Sequence, residues 1–244
     1  MILCIDSGNS RIKWALHAAG AWREAAALDR GEAAGMADLP RRLPMPARVM
    51  LANVAGDTAA AAISQALAPW LPVLHMVEST TVAAGVTNGY TDPRRLGVDR
   101  WCALIGARAL TAAPCVVVMA GTATTVDTLD GGGRFLGGLI LPGLDLMRRA
   151  LARDTAALPL AAGRYSVYPR CTEDAIISGC IEAQAGAIER ACARLGADAV
   201  CLLSGGAAGR VGEHLGVPHT RVDNLVLEGL LRLAHAVPAE DAAG

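Results

Sequence analysis

Short apolar runs separated by turn residues open the chain. Residues 2 to 5 are apolar, residues 12 to 16 are apolar apart from Lys13, and a third apolar piece extends from about Trp22 to Leu28. The segments between them are rich in Gly, Asn, Ser and Asp or are short and small, which is typical of tight turns. The pattern predicts three consecutive β-strands.

The stretch that follows favours one more strand and two helices. Residues 49 to 54 predict a strand, and Asp57 is placed to N-cap a helix that continues to about Leu71. After an irregular stretch that ends near Leu96, residues 99 to 110 predict a second helix.

The layout of the first block begins again at Cys115. A strand, a turn, a strand, a glycine-rich turn and a third strand follow one another up to Leu141. When Gly8 is aligned with Gly121, the acidic Asp6 falls on Met119. A two-fold repeat of this kind predicts an α/β protein of two lobes that face each other across a cleft.

We place the two lobes at residues 1–110 and 111–244. In the second lobe, the sequence predicts a helix over 144–153, an irregular loop over 154–170 and a long helix that Thr172 caps. Gln184 interrupts the apolar stripe of that long helix. A strand over 199–203, a last helix over 224–235 and a frayed tail over 238–244 complete the prediction.

Charge and hydropathy exclude several function classes. The net charge is −1, and arginines occur at most in adjacent pairs, which does not provide the basic surface that nucleic acids or anionic membranes require. No apolar run approaches the roughly 20 residues needed to cross a bilayer, and the N-terminus lacks the basic region of a signal peptide. We therefore expect a cytoplasmic protein without nucleic-acid or membrane partners.

Cysteine and histidine usage gives no sign of a metal or disulfide framework. The seven cysteines form no Cys-x-x-Cys pair and lie mostly within apolar runs, where a free thiol acts as a small hydrophobe. The five histidines lack the spacing of a zinc site.

Lys13 is the single lysine among 22 basic residues of the Lys and Arg types. Drift in base composition accounts for the excess of arginine, because the two side chains are interchangeable wherever only a solvated positive charge is needed. A lysine that survives such drift marks a position where a compact charge on a flexible stem is useful.

Lys13 closes a segment that resembles a phosphate-binding turn. A glycine lets backbone N–H groups approach an anion, hydroxyl and amide side chains flank it, and Asp6 is placed to hold a hydrated Mg²⁺. The proposed phosphate-binding segment comprises eight consecutive residues: Asp6, Ser7, Gly8, Asn9, Ser10, Arg11, Ile12 and Lys13. Taken alone, the same residues also fit a plain hairpin with a structural Asn.

The repeat supplies a second turn of this kind at Gly121 and Thr122. Two such turns could hold the β- and γ-phosphates of a nucleotide between them. The glycines after Ser204 would suit the approach of a nucleoside, although glycines after a strand are common.

Together, these segments resemble the type III pantothenate kinases, a family that includes the Bvg accessory factor-like proteins. The resemblance runs in order along almost the whole chain. It is carried by Asp6, Gly8, Asn9, Ser10 and Lys13; by Tyr90, Pro93 and Leu96 to Trp101; by Gly121, Thr122, Ala123, Thr125 and Asp127; by Gly137, Gly138, Ile140, Pro142 and Gly143; by Thr155, Ala156, Leu158 and Pro159; and by Ser204, Gly205 and Gly206.

The resemblance implies an actin/hexokinase-like fold of the acetate and sugar kinase superfamily, and ATP-dependent phosphorylation of pantothenate to 4'-phosphopantothenate, the first step of coenzyme A biosynthesis. Asp6 to Lys13 and Thr122 would then contact the phosphates of ATP, with Mg²⁺ near Asp6. Asp99 would be the general base. Pantothenate would contact Tyr90, Gly97, Val98, Asp99, Arg100 and Thr172, in a pocket that the second subunit of a homodimer completes.

Simpler interpretations of these substrate residues remain open. Asp99 and Thr172 each fit a helix N-cap, Arg100 alone fits a surface residue, and Tyr90 fits a packing residue of its loop.

One position departs from the family. Many members bind a monovalent cation, K⁺ or NH₄⁺, with an Asp where this chain has Met119. A thioether is a poor ligand for a hard cation, so the need for such a cation stays open. Two other functions also remain: a nucleotide-binding accessory or regulatory protein without turnover, and a kinase of the same superfamily that acts on a sugar or a carboxylate.

Overall fold

The computed structural model describes residues 1–160 and 162–236. Within them the chain forms two compact units, residues 1–110 together with 225 onward, and residues 111–224. The boundary at residue 110 agrees with the repeat. The last helix departs from the predicted division. It packs with the N-terminal unit, although the sequence placed it in the second lobe.

Residues 1–110 contain seven strands and three α-helices in the described structure. The strands are β1 (Ile2–Ser7), β2 (Arg11–Ala18), β3 (Ala21–Asp29), β4 (Arg48–Asn53), β5 (Leu74–Met76), β6 (Val82–Ala83) and β7 (Val86–Thr87). The helices are α1 (Leu39–Arg42), α2 (Asp57–Ala66) and α3 (Val98–Leu110), with 3₁₀ segments at Arg30–Asp38, Ala68–Val73 and Pro93–Arg95.

The rest of the described chain continues with five strands and four α-helices. The strands are β8 (Cys115–Ala120), β9 (Ala123–Leu129), β10 (Phe135–Pro142), β11 (Val200–Ser204) and β12 (His219–Arg221). The helices are α4 (Leu144–Asp154), α5 (Thr172–Leu195), α6 (Ala208–Gly212) and α7 (Leu225–Ala236). None of the described helices is long and apolar enough to cross a membrane.

The two units contain sheets of the same topology. The first has the order β3-β2-β1-β4-β5 and the second has β10-β9-β8-β11-β12. In each sheet the first three strands in the chain are antiparallel neighbours, and the two later strands are added in parallel. The duplication predicted from the sequence is confirmed. The edge strands β5 and β12 were missed, because three residues are too few to show a periodicity.

Each sheet buries an apolar face of its own. In the first unit, Leu3 and Ile5 of β1 and Ile12 and Trp14 of β2 point into a core with the segment 30–39 and α2. In the second unit, the corresponding face packs against α5. Because side chains alternate along a strand, the intervening residues of β1 and β2 lie on the opposite face, which carries α3 and α7.

Two helix starts differ from the prediction. Helix α2 is capped by Gly56, whose φ is +88°, and Asp57 lies in its first turn. This helix ends at Ala66 because Pro69 and Pro72 follow. The long helix α5 is capped by Cys171, so Thr172 is its first residue and not its N-cap. The tail predicted over 238–244 lies outside the described residues.

Candidate active site

Asp6 and Lys13 are directly paired across β1 and β2. Both side chains are half-buried and point to the sheet face that carries α3 and α7, away from the core that contains Ile5 and Ile12. The Lys13 side chain makes no hydrogen bond within the described residues, and its positive charge only partly opposes the rise in the pKa of Asp6 that burial and Asp99 cause. A free cation is therefore positioned beside a carboxylate at the end of the hairpin.

Asp99 comes to the same face from the first turn of α3. Cys102, one turn further along α3, is fully buried, and its pKa is raised first by burial and then by the charges of Asp6, Asp99 and Cys4. This set of neighbours shows that the start of α3 lies over the C-terminal end of β1.

Both carboxylates have raised pKa values. The pKa of Asp6 is raised to about 7, first by loss of solvent and then by the negative charge of Asp99. The pKa of Asp99 is also raised, chiefly by burial, although hydrogen bonds from backbone N–H groups and the charge of Arg100 oppose this. Raised carboxylate pKa values in a half-buried pair are characteristic of sites that bind a cation or move a proton.

The approach to α3 holds the Asp99 carboxylate in place. The N–H of Arg100 donates to Asp99 Oδ1 at 2.8 Å. A Cβ at Gly97 would lie 2.7 Å from the same oxygen, so only glycine leaves room for this orientation. The preceding residue is fixed as well, since the buried Ser79 hydroxyl donates to the carbonyl of Leu96 at 2.8 Å.

Arg100 and Tyr90 form one contact. Arg100 is buried, its Nη1 donates to the Tyr90 hydroxyl at 2.8 Å, and its guanidinium carbon lies 5.6 Å from the centre of the Tyr90 ring. The simpler interpretation of Arg100 as a surface residue is therefore wrong. Tyr90 and Arg100 act as one structural group at the start of α3.

Asn88 organises this loop and was missed in the sequence. It is buried, its Nδ2 donates to the carbonyls of Thr80 and Pro93, and its Oδ1 accepts the N–H of Tyr90 at 3.0 Å. The signal in the sequence is that Asn88 lies two residues before Tyr90, since an Asn side chain often bonds to the backbone two residues further on.

A cavity of about 450 Å³ opens beside the start of α3. It lies at the carboxyl ends of β4 and β5, the usual place for a ligand in an open α/β sheet. Gly97 and Val98 line it, with Asn53, Val54, residues 77–79 and residues 94–96.

The remaining residues of the first turn take different positions. Asn9, Ser10 and Arg11 are exposed at the turn, and Gly8 closes it by donating to the carbonyl of Arg11 at 3.0 Å. Ser7 and Ile12 are fully buried toward the core. The side chains of these last two residues do not reach the face of Asp6 and Lys13.

The second turn is similar but shorter by one residue. Gly121 donates to the carbonyl of Ala123, and Thr122 is exposed. By strand register, the residue in the place of Lys13 is Thr125, which pairs with Met119 as Lys13 pairs with Asp6. The Thr125 hydroxyl is buried and has no hydrogen-bond partner in the described chain. The second turn therefore lacks both charges of the first.

Comparison with known proteins decides the family. The sequence model of the type III pantothenate kinases matches residues 2–194. A type III pantothenate kinase of Dechloromonas aromatica (strain RCB) is 56% identical over 235 residues, which are 96% of this chain and 99% of that protein. One from Aromatoleum aromaticum is 53% identical over the full length of both. The chain belongs to the type III pantothenate kinase family.

Solved structures agree on the fold of this pantothenate kinase family member. A Baf family protein from Campylobacter jejuni aligns with a TM-score of 0.65 at 17% identity, over 96% of this chain and 97% of the other. The ethanolamine utilization protein EutJ of Carboxydothermus hydrogenoformans gives 0.57 at 15% identity, over 96% and 89%. The actin/hexokinase-like fold expected from the sequence is confirmed. The alternative of an accessory protein without turnover is not favoured by relatives named as kinases.

The residues of the first unit suit a magnesium ion. Mg²⁺ prefers oxygen ligands and is usually held by one or two carboxylates together with substrate phosphates. Asp6 provides such an oxygen. Its pKa is raised first by burial and then by the charge of Asp99, and a bound cation would favour the ionised form. No group of three or more His, Cys, Asp or Glu in residues 1–160 and 162–236 is arranged to hold a metal by itself.

Thr172 lies in the second unit, exposed at the first position of α5. The preceding loop is fastened to this helix: the Arg164 N–H donates to Asp174 Oδ1 at 2.8 Å, and the Tyr165 hydroxyl donates to Glu182 Oε1 at 2.6 Å. Thr172 therefore sits on a well-anchored part of its unit.

Proposed function

We propose that this protein transfers the γ-phosphoryl group of ATP to the primary hydroxyl of pantothenate, forming 4'-phosphopantothenate for coenzyme A biosynthesis in the cytoplasm. Membership in the type III pantothenate kinase family supports this activity. The structural observation that carries the proposal is the placement of Asp6, Lys13 and Asp99 on one face of the first sheet.

Asp99 is proposed as the general base. As the pantothenate oxygen bonds to the γ-phosphorus, the bond from that phosphorus to the bridging oxygen breaks and ADP leaves. The hydroxyl proton passes to the Asp99 carboxylate. Burial raises the pKa of Asp99, which makes it a better proton acceptor than an exposed carboxylate once it is ionised.

Lys13 and the backbone of the first turn are proposed to hold the phosphates of ATP. Phosphoryl transfer depends chiefly on positioning and on stabilisation of negative charge. Within the part of the chain that the structure describes, the Lys13 ammonium makes no hydrogen bond, and Asn9, Ser10 and Arg11 are exposed at the turn. In the second unit, exposed Thr122 is proposed as a further phosphate contact.

Magnesium is proposed to bind at Asp6, where it would supply charge neutralisation for the phosphates. Asp6 has to be ionised for this purpose, so bound cation would return the pKa of Asp6 toward its ordinary range. Ser7 and Ile12, whose side chains are buried, contribute only through their backbone.

Tyr90, Gly97, Val98, Arg100 and Thr172 are proposed to contact pantothenate. Gly97 and Val98 line the cavity at the start of α3. The Arg100–Tyr90 pair provides a guanidinium and an aromatic ring for the carboxylate or amide of the substrate.

A homodimer is proposed as the working form. Several exposed apolar side chains lie in the second unit, on edge strand β10 and in the loop before α5: Leu136, Leu139, Ile140, Leu160, Val167 and Tyr168. A second copy that covers such side chains would remove apolar surface from water.

The test is a coupled assay for ADP with purified protein, ATP, Mg²⁺ and pantothenate, followed by mass spectrometry of the product. The proposal predicts ADP release that requires pantothenate. The assay is run with K⁺, with NH₄⁺ and without either, because Met119 stands where other members have a cation ligand. A protein that forms no 4'-phosphopantothenate in any of these salts contradicts the proposal.

A further inference from the structure

Gln184 is a polar residue in the centre of an apolar helix. It lies on α5 among residues that form the core of the second unit, and it is 0% exposed. Its Oε1 accepts the hydroxyl of Thr124 at 2.7 Å, and its Nε2 donates to the carbonyl of Pro142 at 2.8 Å. Both ends of the buried amide are therefore satisfied.

These two bonds reach both flanks of the second turn. Thr124 follows Thr122 by two residues on β9. Pro142 directly precedes Gly143, whose N–H donates to the carbonyl of Thr122 at 2.9 Å. Gly143 packs so closely on the carbonyls of Gly121 and Thr122 that a Cβ there would collide with them. One side chain thus ties together the strand that leaves the turn and the segment that closes over it.

The first unit shows that the fold does not require this amide. Its turn is closed in the same way, by the N–H of Arg30, which donates to the carbonyl of Ser10 at 3.1 Å. By strand register, however, the place of Thr124 is taken there by Ile12, which packs in an apolar core. An apolar pair in place of Thr124 and Gln184 would fill the same space without the desolvation of three polar side-chain groups.

We propose that Gln184 is a positioning residue for ATP, which holds the Gly121–Thr122 turn in the conformation that contacts phosphate. The inference rests on the proposed function, because it takes Thr122 as a phosphate contact. The first turn carries the charged residues Lys13 and Asp6. The second turn has only neutral groups, and the strength of a hydrogen bond from a neutral group to phosphate depends on the angle between donor and acceptor. Directional contacts lose strength when the backbone that presents them shifts.

The experiment compares Gln184→Leu with Ser178→Ala. Ser178 is the matched control, since it is a buried polar residue of the same helix whose hydroxyl accepts the N–H of Ser166 at 3.0 Å. Both variants should lose some thermal stability. Gln184→Leu should raise KM for ATP by roughly tenfold, with KM for pantothenate changed less than about twofold, and Ser178→Ala should change neither.

The double variant Thr124→Val/Gln184→Leu separates positioning from stability. It replaces both members of the buried pair with apolar side chains, and an apolar residue, Ile12, also stands at the place of Thr124 in the first unit, so the Tm should recover relative to Gln184→Leu. Its KM for ATP should stay high, because the Pro142 carbonyl remains without its donor. Recovery of KM together with Tm would show that Gln184 acts only through stability and would overturn the proposal.

Direct binding of a non-hydrolysable ATP analogue with Mg²⁺, measured by calorimetry, keeps this test independent of turnover. If wild-type protein binds the analogue but makes no product, the proposed function fails while a weaker Kd in Gln184→Leu still supports the positioning role. An unchanged Kd in Gln184→Leu contradicts that role. A wild-type protein that does not bind the analogue contradicts both.

Discussion

Asp6 and Lys13 are directly paired across β1 and β2, and the pKa of Asp6 is raised to about 7, first by burial and then by the charge of Asp99. Two carboxylates and an ammonium group therefore meet on one face of a sheet. The residues beside them in sequence, Ser7 and Ile12, are fully buried on the other face. The alternation of a β-strand accounts for this division of roles.

The first prediction concerns Asp99. Asp99→Asn keeps the size and the hydrogen-bond acceptor but removes the proton acceptor, so kcat should fall by roughly 100- to 10,000-fold. Circular dichroism and Tm should stay close to those of wild type. Asp57→Asn is the matched control, because Asp57 also lies in the first turn of a helix; it should leave kcat unchanged. A kcat for Asp99→Asn within a factor of about two of wild type would remove Asp99 from the mechanism.

The second prediction concerns Lys13. Lys13→Arg keeps the charge but replaces a compact ammonium with a planar fork, so kcat/KM for ATP should fall by about tenfold or more. Arg30→Lys, an exposed exchange in the reverse direction, should have no effect. Because Lys13 is the only lysine, an amine-selective reagent should modify it and the N-terminus alone, and Mg-ATP should protect Lys13. Wild-type kinetics in Lys13→Arg would mean that base composition alone accounts for the single lysine and that ATP binding does not require it.

The third prediction concerns stability and pH. The pKa of Asp6 is about 7 in the folded protein, against an ordinary value of 3.8. Between these values the folded state binds more protons than the unfolded state, so the free energy of unfolding falls as pH rises from about 4 to 7 and stays lower above 7. Asp6→Asn removes this loss and should be more stable than wild type at pH 8, by at most about 4 kcal/mol.

Urea unfolding without nucleotide or divalent cation measures this difference. It should shrink toward zero at pH 4, and Asp57→Asn should show no comparable trend. A difference between Asp6→Asn and wild type that does not change from pH 4 to pH 8 would mean that Asp6 ionises as an ordinary carboxyl.

The fourth prediction concerns Gly97. In Gly97→Ala the new Cβ would lie 2.7 Å from Asp99 Oδ1, so the carboxylate has to turn away. We expect kcat to fall by about tenfold or more with only a small change in Tm. Gly179→Ala is the control: Gly179 lies within α5 with nothing near its Cβ position, so this change should leave kcat unchanged and raise stability slightly. Full activity in Gly97→Ala would show that the carboxylate orientation does not matter.

The sequence predicted the parts of the site that depend on residues close together along the chain. Both turns, the strands around them and the helix that carries Asp99 follow from apolar runs and turn residues, and the duplicated sheets confirm the repeat. The edge strands β5 and β12 could not be predicted, because their three residues become strands only by pairing with β4 and β11.

Other features depend on contacts between distant segments. Helix α7 packs with the first unit although it follows the second in sequence, and no local pattern reports that. Gln184 was visible only as a break in an apolar stripe; its meaning required Thr124 and Pro142, which lie about 40 to 60 residues away. Arg100 looked like a surface residue because its partner Tyr90 lies ten residues earlier.

The most direct test of the central claim is the pantothenate dependence of ADP release by the wild-type protein beside Asp99→Asn. The account predicts that ADP forms with pantothenate and Mg-ATP, in equal amount with 4'-phosphopantothenate, and that Asp99→Asn loses this activity while it still binds the nucleotide. ADP release that is the same with and without pantothenate, or equal in the two proteins, would contradict it.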